Sequence, residues 1–194
     1  LLCLTAISAI ILGMGMTTTA VYITVAALIV PSLIESGIMP IAAHMFAFYF
    51  GVVSTITPPV ALASFAGAAI AKSPPMATAV ESSKVGIAKY IVPFAFVYNP
   101  SLLMEGPIIW SIYSLISVLL AYWSMTLGLE GWFNGRLNAF KRTLALLSSV
   151  TLLIPPLQKI YGIDGIYFNL LGIIILMLIY YLQGKLNFKF KAAT

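Results

Sequence analysis

Charge is what this sequence has least of. Of 194 residues only 8% are Asp, Glu, Lys or Arg, while 61% are hydrophobic. A soluble domain carries about 25% charged and about 45–50% apolar residues. Five acidic and ten basic side chains cannot cover a soluble globule of this size, and the apolar content is far above that of a disordered chain. An ordinary soluble enzyme and a disordered chain are both excluded, which leaves lipid as the solvent. The single cysteine, Cys3, excludes an intrachain disulfide and a cysteine metal cluster. The one histidine, His44, stands without HExxH, Walker-loop or Cys/His metal spacing. No basic residues interleave the aromatics as a nucleic-acid surface would require. The chain opens inside an apolar run with neither Met nor a charged leader segment. It is expected to be the C-terminal piece of a longer protein, with no signal peptide at its start.

What is present is a set of apolar runs. A bilayer core about 30 Å thick needs roughly 20 residues of helix. Ile108 to Leu127 qualifies: it follows Gly106-Pro107 and carries Trp110, Tyr122 and Trp123 near its ends, as an aromatic belt would. Thr143 to Leu157, closed by Pro155-Pro156, and Gly165 to Leu182, between Asp164 and a basic tail, are further spans. Tyr90 to Met104 is apolar but short, with Pro93 inside it and Asn99-Pro100 interrupting it. The polar stretch from Lys72 to Lys89 reads as an interfacial helix or loop.

The first part of the chain is different. Leu1 to Ile34 is about 34 residues, roughly 50 Å as one helix, and has Gly13-Met14-Gly15-Met16-Thr17-Thr18-Thr19 near its middle. Pro40 to Ala71, about 32 residues and also too long for one span, has Gly51-Val52-Val53-Ser54-Thr55-Ile56-Thr57-Pro58-Pro59 near its middle. Each run predicts two half-helices joined by a polar break. Thr57, placed before a proline, is pushed out of the α region. It suits an N-cap, and Pro58 suits the first helical position, so a new helix is expected from Pro58 to Ala71. In the other break Gly13 and Gly15 let the chain unwind, and Thr17, Thr18 and Thr19 offer caps and oxygen ligands to a helix from Ala20.

Basic residues orient the map. If the chain crosses at Tyr90–Met104, Ile108–Leu127, Thr143–Leu157 and Gly165–Leu182, then Lys72, Lys84, Lys89, Arg136, Lys141, Arg142, Lys185, Lys189 and Lys191 share one side. Lys159 alone lies on the other. The positive-inside rule then places the basic side, with the tail, in the cytoplasm.

Broken helices at mid-membrane depth are a sequence pointer to a transporter binding site. Non-helical backbone survives there only when it is buried in protein or lines a wet cavity. A half-helix start presents N–H groups to an anion, and a half-helix end presents carbonyls to a cation. The binding candidates are Gly13, Gly15, Thr17, Thr18, Thr19, Gly51, Ser54, Thr55, Thr57, Pro58, Pro59 and Asn99. Gly51, Ser54 and Thr57 are the candidates for Na⁺ through backbone or hydroxyl oxygens. Carboxylate relays of the kind proton-driven carriers use inside the membrane are missing, with only His44 to consider. Na⁺ is therefore the expected coupling ion, and no organic cofactor is expected. Glu35 and Glu105 read as helix-end and loop charges, and Met14, Met16 and Met45 as packing residues.

At these breaks the sequence resembles the large membrane subunit of the tripartite ATP-independent periplasmic (TRAP) transporters. The matching stretches are Gly13–Ala20, Ser54–Ala61 and Val92–Pro100, although Thr17 stands where that family usually has Pro. With helices continuing past Ile108, the chain resembles the form in which small and large subunits are fused. The resemblance implies an all-α integral membrane protein, with discontinuous helices and a re-entrant helical hairpin followed by transmembrane helices. It would be one half of an inverted-repeat transporter. Residues 1–105 would be part of the transport domain, 106–183 the C-terminal transmembrane helices and 184–194 a basic cytoplasmic tail. It implies Na⁺-driven import of an organic acid, such as a dicarboxylate, across the bacterial inner membrane. The partners would be a periplasmic substrate-binding protein, the upstream part of the same permease and the lipid bilayer. The alternative is a non-transporting membrane subunit that packs or anchors partners. An intramembrane enzyme would need a nucleophile–base pair or metal ligands, which lone His44 and Cys3 do not supply.

Overall fold

A computed structural model describes the backbone of residues 1–160 and 162–191, and the side chains of 1–159 and 162–183. The chain divides into two compact units, Leu1–Leu103 and Met104–Thr194. Apart from a two-residue hairpin, Lys159–Ile160 with Ile163–Asp164, and the isolated bridge Trp132–Arg136, the described residues form helices and turns.

The first unit holds α1 (Leu2–Gly13), α2 (Thr18–Leu28), α3 (Val30–Glu35), α4 (Pro40–Val53), α5 (Leu62–Ala71), α6 (Pro75–Val85) and α7 (Ala88–Tyr98). Both long apolar runs are broken near their middles. The first run has a further irregularity at Ile29, where Pro31 cannot donate to Ala27 and its ring crowds that carbonyl. Helix α4 is the centre of the unit and packs on α1, α2 and α7. Its buried face, Ala43, Phe46, Ala47 and Phe50, joins Ala6, Ala9, Val21 and Val25 in one apolar cluster. Phe94 of α7 meets Phe46 and Phe50 edge-on, with ring centroids 5.3 and 5.8 Å apart.

Three sequence expectations in this unit need correction. A helix does not begin at Pro58. Pro58 is itself followed by a proline, which disfavours the α region there, so residues 57–61 form a bend and turn and α5 starts at Leu62. Nor does α5 lie along α4 as a tight hairpin. It packs on α6, turning back at Lys72, whose left-handed φ of 51° closes α5, and through a Ser73–Thr78 hydroxyl bond of 2.9 Å. The connection after α4 holds two prolines and imposes no close reversal.

Tyr90–Met104 is also not a span. Helix α7 has 11 residues, about 16 Å. Asn99, extended before Pro100, ends it, and residues 100–103 form a 3₁₀ turn.

The second unit contains α8 (Ile108–Glu130), α9 (Ala139–Leu152) and α10 (Gly165–Lys191). Among the described residues, Ile108–Glu130 and Gly165–Gln183 are the helices long and apolar enough to cross a membrane. Helix α8 starts after Pro107 and stops at Gly131, whose φ of +69° is the left-handed conformation of a helix stop. Helix α9 is displaced from the expected Thr143–Leu157: it starts at Ala139, taking in Lys141 and Arg142, and ends at Leu152. Ile154, before Pro155-Pro156, cannot prolong it. Helix α10 continues to Lys191, so the sequence read as a tail begins as helix; residues 192–194 lie outside the described residues.

Serine hydroxyls and glycines bring these helices close. Ser117 and Ser124 of α8 donate to the Leu152 and Ala145 carbonyls at 2.7 and 2.8 Å, and Ser148 of α9 donates to the Gly172 carbonyl at 2.8 Å. The pairings run in opposite chain directions, so α9 is antiparallel to both neighbours. A Cβ on Gly128 would lie 2.7 Å from Leu146, and one on Gly172 2.6 Å from the Thr151 hydroxyl. Small residues at the approach and hydroxyls as glue are how helices pair without a hydrophobic driving force. Arg136, Lys141 and Arg142 thereby share one end of the unit with Gln183, and Lys159 lies at the other.

Candidate functional site

The site is built from the two breaks of the first unit. Helix α1 ends at Gly13; Met14 is extended (φ −66°, ψ 118°) and Gly15 is left-handed (φ +81°). Thr17 is extended and caps α2, its hydroxyl accepting from the Ala20 N–H at 3.5 Å, while its carbonyl accepts from Val21 at 3.0 Å. The expected Thr cap is present, and α2 begins at Thr18, two residues before the expected Ala20.

The second break starts with a single 3₁₀ turn over Ser54–Ile56, followed by extended Thr57. Each hydroxyl here turns back on a carbonyl in the last turn of α4. Ser54 reaches Gly51 O at 2.6 Å, Thr55 reaches Val52 O at 2.7 Å and Thr57 reaches Val53 O at 2.7 Å.

The two breaks meet at one side chain. Ser54 is fully buried, and its Oγ also lies 3.0 Å from the carbonyl oxygen of Gly13, across 41 residues of sequence. Only glycine permits this approach. A Cβ on Gly13 would collide with Ser54 Oγ and come within 2.7 Å of Ser54 Cβ, and a Cβ on Gly51 would lie 2.9 Å from Val21. Three oxygens therefore converge: a hydroxyl and two carbonyls, one from the last residue of α1 and one from the last turn of α4. Helix C-terminal ends carry partial negative charge, so both helices aim the same sign at Ser54.

Thr57 faces elsewhere. Its hydroxyl is 2.7 Å from the Tyr90 hydroxyl, and Ser83 donates to the Ile56 carbonyl at 3.0 Å. Thr57, Pro58, Val80, Ser83, Lys84, Ile87 and Tyr90 line an open cleft of about 400 Å³ whose accessible surface is almost wholly apolar. Lys84 pairs with Glu81 at 3.0 Å, but both side chains are about two-thirds exposed, and such pairs contribute little. A double-mutant cycle on Thr57→Val and Tyr90→Phe, read by thermal unfolding, should give a coupling of about 0.5–1.5 kcal/mol, the worth of one part-buried hydrogen bond. Additive effects would show that the two hydroxyls do not act together.

The remaining candidates are scattered. Gly15, Thr17, Thr18, Thr19 and Pro59 are exposed. Asn99 is buried at the end of α7, where its N–H donates to Ala95 O at 2.8 Å. His44 is half-buried, with Nδ1 3.0 Å from the Tyr22 hydroxyl. The sequence reading missed Ser83, Lys84 and Tyr90. Its polar stretch from Lys72 to Lys89 held the signal for the first two, but was assigned to the membrane surface.

The family model described as "Tripartite ATP-independent periplasmic transporter, DctM component" matches residues 1–110, a segment that contains both breaks and the cleft. No curated protein and no solved structure matches the chain.

Proposed function

This chain belongs to the DctM component family of tripartite ATP-independent periplasmic transporters, and on that premise we propose that its first unit couples Na⁺ to the import of an organic acid. Membership makes it an integral membrane component of a multi-part transporter, in a family that is not one of enzymes. The observation that carries the coupling is the convergence of Ser54 Oγ with the carbonyls of Gly13 and Gly51. One hydroxyl carries one proton, so it serves one carbonyl well at a time. A Na⁺ at that point accepts lone pairs from all three oxygens. It also answers the partial charge of two helix ends, the mode by which broken helices hold Na⁺ in transporters.

The acid substrate is assigned to the neighbouring surfaces of the same unit. The cleft offers an almost wholly apolar wall for the carbon skeleton of the acid, with the exposed Lys84 side chain among the residues that line it. The exposed start of α2 at Thr17, Thr18 and Thr19 offers backbone N–H groups to a carboxylate. Because α1 ends and α2 begins at one break, cation and anion bind at opposite helix poles only a few residues apart. The upstream part of the permease would complete the site as the other member of an inverted repeat, and a periplasmic binding protein would deliver the acid.

The membrane is the bacterial inner membrane. The end of the second unit that carries Arg136, Lys141 and Arg142, and from which the chain leaves toward Lys185, faces the cytoplasm by the positive-inside rule. Without a crossing at Tyr90–Met104, Lys72, Lys84 and Lys89 fall on the side of Lys159, and the basic residues divide six to four rather than nine to one.

The test is uptake by the complete permease in proteoliposomes with its binding protein. Acid should accumulate only under an inward Na⁺ gradient. Equal accumulation under a proton gradient in Na⁺-free buffer would overturn Na⁺ coupling. No uptake by correctly folded protein would favour a packing or anchoring subunit.

A further inference from the structure

We propose that the second unit binds an anionic phospholipid, holding its phosphate between Arg136 and Lys141 and one acyl chain in the groove between α8 and α10. The inference rests on two cavities of that unit that the transport reading leaves unused. One, of about 440 Å³, is lined by Arg136, Leu137, Asn138 and Lys141. The other, of about 160 Å³, is almost wholly apolar and is lined by residues that include Trp123, Phe133, Met177 and Tyr180.

The basic cavity has an unmatched charge. Lys141 is half-buried and its Nζ lies 2.8 Å from Oε1 of Gln183, a neutral side chain that is 4% exposed. Among the described residues the ion pairs are Lys84–Glu81 and Lys159–Asp164, so neither Arg136 nor Lys141 meets a carboxylate within 4.0 Å. Arg142 is committed otherwise: its Nε and Nη2 donate to the Gly128 and Leu129 carbonyls at 2.9 and 2.6 Å, closing the end of α8. The loop that presents Arg136 is fixed. Leu137 donates to the Gly131 carbonyl at 2.8 Å, Trp132 bridges Arg136, and Asn134-Gly135 makes the turn with left-handed φ values of 50° and 137°.

The two cavities share a wall. Leu137 lines the basic cavity and packs in one cluster with Leu127, Ile179 and Phe133, which line the apolar groove. An anion held at Arg136 and Lys141 therefore has an apolar channel beside it. Trp132 and Phe140, 62% and 70% exposed, flank the basic residues as interfacial anchors do. A phosphodiester with a hydrocarbon tail fits that pairing, and basic pockets beside transmembrane helices hold anionic headgroups. A free phosphate ion would use only the first cavity.

The test uses Trp123 as reporter, in the complete permease reconstituted in phosphatidylcholine. Phosphatidylglycerol brominated on one acyl chain should quench its fluorescence at a lower mole fraction than brominated phosphatidylcholine does, and Trp123→Phe should remove that component. The preference should fall about fivefold in Arg136→Gln, since each basic side chain near a surface contributes roughly that factor. It should return in Arg136→Lys. Arg136 is exposed, so this exchange leaves the packing intact, whereas Lys141→Gln touches the Gln183 contact. Equal quenching by the two lipids, or an unchanged preference in Arg136→Gln, would overturn the proposal. So would no quenching at all, as a second copy or another chain segment over the groove would give. Complete competition by millimolar inorganic phosphate would make this an anion pocket without a lipid seat, and would overturn it as well. These outcomes are separable from Na⁺-driven uptake, which depends on the other unit.

Discussion

Gly13→Leu should abolish Na⁺-driven uptake, and Gly13→Ala should reduce it at least tenfold. Even the smallest side chain at this position meets Ser54 Oγ and lies within 2.7 Å of Ser54 Cβ and 3.2 Å of Val21 Cγ1. Ser54 cannot swing aside: it is fully buried and its hydroxyl is tied to Gly51 O. The strain must be relieved by separating the two breaks, at the cost of about 1–3 kcal/mol that overpacking typically exacts. The carbonyl of Gly13 then leaves the three-oxygen cluster. Gly67→Ala is the control, because a Cβ there meets nothing within 4 Å and α5 gains a better helix former. Uptake should be measured against Na⁺ concentration, beside a thermal unfolding curve. Wild-type Na⁺ dependence in Gly13→Ala would separate this contact from coupling.

Ser54→Ala should raise the half-saturating Na⁺ concentration about tenfold or more, equivalent to about 1.4 kcal/mol of lost binding. The hydroxyl is one of the three converging oxygens, and its removal also takes the side-chain donor from the Gly51 carbonyl, while the Gly13 carbonyl keeps the Met16 N–H at 3.5 Å. An unsatisfied buried acceptor costs about 1–3 kcal/mol, so the variant should also melt earlier than the wild type. Ser54→Thr keeps the hydroxyl but crowds the Gly13 approach, and should fall between the two. The signature to look for is a change in Na⁺ dependence with saturating transport retained. A loss of maximal transport at unchanged Na⁺ affinity would assign Ser54 to packing alone.

Much of this structure was legible where the determinants are local. The breaks at Gly13–Thr19 and Gly51–Pro59 follow from glycine, proline and hydroxyl residues a few positions apart. The Thr17 cap and the start of α8 after Pro107 follow from the same short-range rules. Errors arose where one local rule met a competing neighbour. Thr57-Pro58 reads as a helix start until Pro59 is considered, and the structure begins α5 at Leu62 instead. Helix α9 is displaced from Thr143–Leu157 because an apolar run marks the start at Thr143, whereas the helix begins at Ala139 and takes in Lys141 and Arg142. Hydrogen bonding does not stop where apolarity stops, and Arg142 is held in the helix by reaching the α8 carbonyls. At Tyr90–Met104 the interruption by Asn99-Pro100 is legible in the sequence, and it does end α7 at Tyr98, which leaves the run too short for the crossing expected of it.

The contacts that define the site were not legible. Ser54 meets Gly13 across 41 residues and Thr57 meets Tyr90 across 33. Nothing in either local stretch encodes its partner. The glycines showed only where a close approach was permitted. The structure also sorts a candidate list that sequence treated as one set: Gly13, Gly51 and Ser54 converge in the interior, Thr57 and Pro58 line the cleft, and Thr17, Thr18 and Thr19 face outward.

The most direct test of a Na⁺ site at the meeting of the two breaks is equilibrium binding of radioactive Na⁺ to the purified complete permease, wild type and Ser54→Ala side by side. Saturable binding in the wild type that weakens at least tenfold in Ser54→Ala, with both proteins folded, is the expected result. Equal Na⁺ affinity in the two proteins would contradict it and would move the cation away from Gly13, Gly51 and Ser54.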